Sequence, residues 1–197
     1  MTLRLAPGTV VSEKELSDRL GIGRTPIREA LQRLARERLV TVFPRRGVVV
    51  SEINVKSQLL LLEVRRELER LISRSAARRA TSDERKQFRR IAGDFQKSAR
   101  ANDDVAFMRT DREFNSLQSA ATRNEFAIGA MGLMHGLSRR FWFNHYKQAA
   151  DKPLTAKLHA DIARAIADRD EARAARATDS LLDVIEKFTR DSLSTDV

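Results

Sequence analysis

The sequence contains no cysteine, which excludes disulfides, thiolate metal sites and a thiol nucleophile. No apolar run approaches membrane-spanning length, and the first residues lack the uninterrupted apolar core of a secretory signal. There is no His-Glu-x-x-His pair and no phosphate-cradling loop. Gly21-x-Gly23 lies between two helical segments rather than after a strand, so a dinucleotide-binding reading fails on context. Internal repeats and low-complexity tracts are absent as well. The expectation that remains is a cytoplasmic protein with no membrane attachment and no catalytic function.

What is present is positive charge. Lys and Arg number 37 against 27 Asp and Glu, a formal net charge of +10, which favours a polyanionic partner. Residues 1–53 hold 10 Lys+Arg and 6 Asp+Glu, a net +4, and the remaining +6 falls on residues 54–197. Charge alone therefore does not single out a nucleic-acid-binding part, and local pattern must do so.

That pattern lies in residues 12–50. Ser12-Glu13-Lys14-Glu15 reads as a capping box, with Leu16 and Leu20 giving a short helix its buried stripe. Gly21 supplies a sharp turn. A second helix follows, with Ile22, Ile27, Leu31 and Leu34 on its apolar face and Pro26 tolerated in its first turn. Leu39 to Phe43 and Gly47 to Ser51 alternate as short strands, joined at a Pro44-Arg45-Arg46-Gly47 tip. This is a winged helix-turn-helix pattern. Such a domain normally opens with a further helix, and too few residues precede Ser12 to hold it, so that helix is expected to be truncated.

From Asn54 the texture changes to Ala, Leu, Arg and Glu with sustained helical periodicity. Helices are expected near 55–80, 82–101, 103–121, 124–147, 153–168 and 170–192, with Ser51 to Asn54 as linker. The predicted fold is mainly α: a winged helix-turn-helix over residues 1–53, then an all-α bundle over residues 54–197.

The stretch Arg24-Thr25-Pro26-x-Arg28-Glu29-Ala30-Leu31, with Arg46-Gly47 in the wing, resembles the GntR family of bacterial transcription regulators. Arg65-x-x-Leu68-Glu69, Asp111-x-x-Phe114-Asn115 with Asn124, and Leu158-His159-x-x-Ile162 with Asp170 resemble the FadR-type ligand-sensing (FCD) domain of that family. The resemblance implies a homodimer that binds a DNA palindrome, represses transcription and is released by a small organic acid or related metabolite. It implies that residues 54–197 bind the effector and dimerise. It also implies that Lys14, Arg24, Thr25 and Arg28 face the duplex, with Arg46 and Gly47 in the wing. Gly23 departs from the Ser usual at the start of the recognition helix.

Phe107, Asp111, Phe114 and Gln118 share one helical face, so the Asp111 carboxylate lies on an apolar side and needs a partner. His159 shares a face with Ile162 and Ile166. In metal-binding members of the resembled family an Asp and three His surround a divalent cation. Here Asn115 and Leu181 occupy two of those positions, and no metal is expected. A metal-free ligand pocket of Arg65, Asp111, Asn115 and His159 is the alternative, with Arg140 as a further anion clamp. Arg65 could engage a carboxylate, or could simply pair with Glu69 or Asp111. His135, Ser138, Trp142 and His145 share a face that could also reach a pocket, although aromatics at helical spacing more often serve a core. The basic run from Arg74 to Arg90 reads as a solvated face with some acidic partners. Two rival functions are a ligand-independent architectural DNA binder and a helical-bundle enzyme using Asp111 and His159.

Overall fold

The structure, a computed structural model, describes residues 3–44, 46–149 and 152–192. Their elements run β1 (Val10–Val11), α1 (Glu13–Leu20), α2 (Arg24–Arg36), β2 (Val40–Phe43) and β3 (Gly47–Val50). There follow α3 (Val55–Arg79), α4 (Ser82–Ala101), α5 (Asp104–Thr122), α6 (Glu125–Ala149), α7 (Lys152–Ala167) and α8 (Glu171–Asp191). The fold is mainly α, a winged helix-turn-helix followed by a helical bundle. Among the described residues no helix is long and apolar enough to cross a membrane.

Side-chain caps set the helix starts. Ser12 Oγ accepts from the Glu15 N–H at 3.0 Å, Asn54 Oδ1 from Ser57, Asp103 from Ala106 and Asp170 from Arg173. The full reciprocal box expected at Ser12 is seen instead at Thr81. There the Thr81 N–H reaches Glu84 Oε2 at 2.7 Å and the Glu84 N–H reaches Thr81 Oγ1 at 3.2 Å. Glu84 also takes both arms of contact from Arg123 Nη2, at 3.0 Å to each oxygen. Burial pushes the Glu84 carboxyl up, but the Thr81 N–H and the Arg123 guanidinium outweigh it and hold it below the usual glutamate range. A depressed carboxyl stabilises the fold above its unfolded value and loses that contribution as pH falls. Thr81→Ala should therefore cost about 1 kcal/mol at neutral pH in thermal unfolding. The separate contribution of the Glu84 carboxylate should be lost as pH falls below the usual glutamate range.

The chain divides into two compact units. The first comprises residues 1–58 together with 132–147, and the second residues 59–131 together with 148–197. In the first, β2 and β3 form the expected antiparallel hairpin, Val40 opposite Val50 and Phe43 opposite Gly47. The segment before Ser12, read from sequence only as too short for a helix, supplies β1. Val10 pairs with Val49 and Val11 with Val48, completing a sheet of order β1-β3-β2. Ile27 and Leu31 of α2 bury themselves against Val11, Val40 and Val48. Arg45, placed at the hairpin tip from sequence, lies outside the described residues.

In the second unit Phe88, Ile91 and Phe95 of α4, Phe114 of α5, and Ile162 and Ile166 of α7 form the bundle core. The basic run is mostly exposed and carries the acidic partners expected of a solvated face, with carbonyl partners besides. Arg78 meets Glu171, Arg89 meets Asp168, and Arg90 meets Asp94 and Glu113.

Candidate DNA-reading surface and effector site

Gly21 adopts φ +65°, the left-handed conformation that ends α1 and starts the turn into α2. Ser17 Oγ donates to the Ile22 carbonyl at 2.5 Å and holds that turn closed. With Ile27 and Leu31 turned inward, Arg24, Thr25 and Arg28 are left exposed at the amino end of α2, and Lys14 is exposed on α1. The Gly23 N-cap offers no side-chain hydrogen bond, so amides of the first turn have no local cap to occupy them. Exposed guanidiniums beside open amides are the chemistry that reads guanine edges and meets phosphate.

Arg28 is not idle there. Its Nε and Nη2 donate to the two Glu13 carboxylate oxygens at 2.9 and 2.8 Å, a bidentate link from α2 to α1. The hydrogen bond from Arg28 holds the Glu13 carboxyl below its ordinary value, and Glu13 raises Arg28 in return. Both ends remain open to solvent, with 59% of the Arg28 side chain exposed.

In the wing, Arg46 is exposed and its N–H bonds the Phe43 carbonyl at 3.1 Å. Gly47 has φ +98°, and an added Cβ would come within 3.0 Å of the Val11 carbonyl oxygen. Glycine at 47 is thus required by the neighbouring β1 backbone, a constraint invisible without the third strand.

The second unit gathers polar groups along one stripe of α5. Asn115 Nδ2 donates to Asp111 Oδ1 at 3.0 Å, and His159 Nε2 of α7 lies 3.4 Å from the same oxygen. His159 Nδ1 lies 2.8 Å from the Thr155 carbonyl oxygen, so the two ring nitrogens face a carbonyl and a carboxylate, both of them acceptors. Phe95, Phe107 and Phe114 surround the imidazole at ring-centroid distances of 5.0, 5.8 and 5.9 Å. Farther along α5, Gln118 donates to Ser73 Oγ at 2.8 Å, and Ser73 Oγ meets Thr178 Oγ1 at 2.7 Å. Thr122 is buried, with its Oγ1 lacking a hydrogen bond and its carbonyl accepting from Arg79. The Ser73–Gln118 and Arg79–Thr122 contacts follow one another in the same sense, so α3 and α5 run parallel. Arg65 Nε donates to Glu69 Oε1 at 2.7 Å, which favours the ion-pair reading of Arg65 over an open carboxylate clamp.

Arg140 does not join this group. It is buried in the first unit, where its guanidinium donates to the Leu39 and Ser51 carbonyls. An anion clamp would need that guanidinium free of main-chain acceptors. His145 stacks on Phe141 with Nδ1 at 2.9 Å from the Phe141 oxygen.

His159 Nε2, on the Asp111 side of the ring, is the nitrogen that a metal there would use. The remaining donors do not fit a closed site, however. Asn115 turns its amide nitrogen toward Asp111, and Leu181 lies in the apolar core with no donor atom. Two protein ligands fall short of the four of a structural site or the three of a catalytic one. Among the described residues no group of three His, Asp or Glu could hold a metal ion.

Known proteins match both units. Residues 1–50 match the bacterial regulatory proteins of the gntR family, and residues 60–184 match the FCD domain. A Streptomyces ambofaciens protein described as an uncharacterized HTH-type transcriptional regulator in an unstable DNA locus is 52% identical over 54 residues. That match covers 27% of this chain and 23% of the relative. The Escherichia coli K12 HTH-type transcriptional repressor RspR is 25% identical over 186 residues, 94% of this chain and 82% of RspR. The solved structure of E. coli McbR/YncC superimposes with a TM-score of 0.78 at 18% identity, over 95% of this chain and 89% of that one. The chain belongs to the GntR family of transcriptional regulators, with a DNA-binding helix-turn-helix and an FCD effector-binding domain.

Proposed function

We propose that this regulator is a cytoplasmic homodimeric repressor, without catalytic activity of its own. It grips a short DNA palindrome and lets go when a small organic acid or related metabolite binds the bundle without a metal. The observation that carries the DNA half is the exposed trio Arg24, Thr25 and Arg28 at an amino end whose N-cap supplies no side-chain bond. The RspR relative is itself described as a repressor. Dimerisation is supported by α3, which leaves Leu60, Val64 and Leu71 exposed in one stripe, 63%, 50% and 43% accessible. A second copy covering such a stripe is the economical way to remove it from water. The effector half rests on Asp111, Asn115 and His159, with three Phe rings around the imidazole.

A ligand changes operator affinity only as far as it binds the DNA-competent and DNA-free states differently. Thermal unfolding of the full chain against a panel of organic acids tests this reading. A matching acid at a hundredfold its Kd adds about 2.7 kcal/mol, a midpoint rise of roughly 5–10 °C. His159→Ala should abolish the rise. No response to any acid would refute the effector class, and near-stoichiometric metal in the purified protein would refute the metal-free site.

A further inference from the structure

The helix-turn-helix family match ends at residue 50, yet the compact unit that contains it also takes in residues 132–147 of α6. Two residues one turn apart on that helix account for the association. Arg140 is 4% exposed, and its Nη1 donates to the Leu39 carbonyl at 3.5 Å while Nη2 donates to the Ser51 carbonyl. Gly136 faces the Leu39 side chain so closely that an added Cβ would stand 2.9 Å from Leu39 Cδ1 and 3.2 Å from Cδ2.

Leu39 and Ser51 are not arbitrary targets. Leu39 immediately precedes β2, Ser51 immediately follows β3, and the Ser51 N–H bonds the Leu39 carbonyl at 3.1 Å. Together they are the open end of the wing hairpin, opposite the tip that carries Arg46 and Gly47. We infer that Gly136 and Arg140 form a seat for the base of the wing, and so position the wing for DNA without touching it.

The chemistry supports a dedicated role. A guanidinium is costly to bury, and it is tolerated where its forked donors meet acceptors. Burial pushes Arg140 down and the Glu52 carboxylate opposes that shift, consistent with a desolvated cation at this place. The planar fork spans two carbonyls in a way that a single ammonium does not. Leverage makes the seat consequential. A four-residue strand is about 13 Å long, so a tilt of about 10° at the base moves the tip by about 2 Å. That displacement exceeds the tolerance of a hydrogen bond to phosphate.

The test uses the full chain and a duplex that the unaltered chain selects from random DNA. Binding is read by anisotropy over a salt series, with thermal unfolding in parallel. Arg140→Met leaves the Ser51 carbonyl without its donor and should weaken duplex binding by roughly 5- to 100-fold. Its salt dependence should keep the slope of the unaltered chain, since no phosphate contact is lost. Arg140→Lys should recover only part of the loss. Gly136→Ala puts a better helix former on α6 and pushes Leu39 off its seat. The helix gain offsets part of the cost of displacing Leu39, so DNA affinity should fall by more than the change in thermal midpoint accounts for, a divergence that general destabilisation does not produce. If Arg140→Met does not fold, Gly136→Ala decides alone. Unaltered binding by the folded variants would overturn the inference. So would a slope reduced by about one, which marks a direct phosphate contact, or an affinity loss that merely tracks lost stability in both variants.

Discussion

Phe95→Ala is expected to destabilise the effector domain by about 3–5 kcal/mol, lowering its thermal midpoint by roughly 6–20 °C. Phe95 is fully buried, and its ring packs on Phe107 at 5.6 Å, Phe114 at 5.9 Å and His159 at 5.0 Å. Removing it opens a cavity where α4, α5 and α7 meet, which a close-packed core relaxes into only partially. The loss is a large part of the total stability of a domain this size. Its consequence reaches function, because one wall around the imidazole goes with it. The variant should lose any effector-induced midpoint rise even at temperatures where it stays folded. Phe95→Leu keeps most of the volume and should cost far less. A Phe95→Ala midpoint within a degree or two of the unaltered chain would contradict this account of the core.

Arg28→Ala should weaken binding to the selected duplex by roughly 5- to 100-fold and flatten base preference at one position of each half-site. The structure adds a condition to that expectation. Without DNA, the Arg28 fork is held by Glu13, so reading a base means exchanging one pair of acceptors for another. The depressed Glu13 carboxyl keeps this pair charged throughout the neutral range, and it is lost only as pH falls below the usual glutamate values. Glu13→Gln removes that competitor together with a negative charge near the phosphates. It should tighten duplex binding several-fold on those two grounds, and the Arg28→Ala effect measured in the Glu13→Gln background should be larger. A double-mutant cycle reads the coupling directly. Equal losses in both backgrounds, with base preference unchanged, would make Arg28 a brace between α1 and α2 rather than a reader.

Much of this architecture was legible from local signals. Ser12, read as a capping residue, caps α1, and the change of texture at Asn54 coincides with the start of α3. Asp111 and Gln118 could be assigned to one face of α5 by spacing alone, and the structure gives both buried or half-buried partners. What escaped was whatever depends on main chain far away. Val10-Val11 is too short to show alternation, and its partners Val48 and Val49 lie across the whole helix-turn-helix. The Val11 carbonyl that also constrains Gly47 belongs to that unseen strand. Arg140 was expected to hold an anion because its actual acceptors are backbone carbonyls of Leu39 and Ser51, which no side-chain pattern encodes. The Gln118–Ser73–Thr178 chain joins α5, α3 and α8 through an amide and two hydroxyls that give no pattern one at a time.

The account stands on α2 presenting its arginines to a DNA groove, and competition between duplexes tests that most directly. The full chain would be titrated with its selected palindrome and with a scrambled duplex of equal length, across a salt series. The account predicts steep salt dependence for both duplexes. It also predicts an affinity margin of about a thousandfold or more for the palindrome, reduced by Arg24→Ala and by Arg28→Ala. Equal affinity for the two duplexes, unaffected by either substitution, would contradict it.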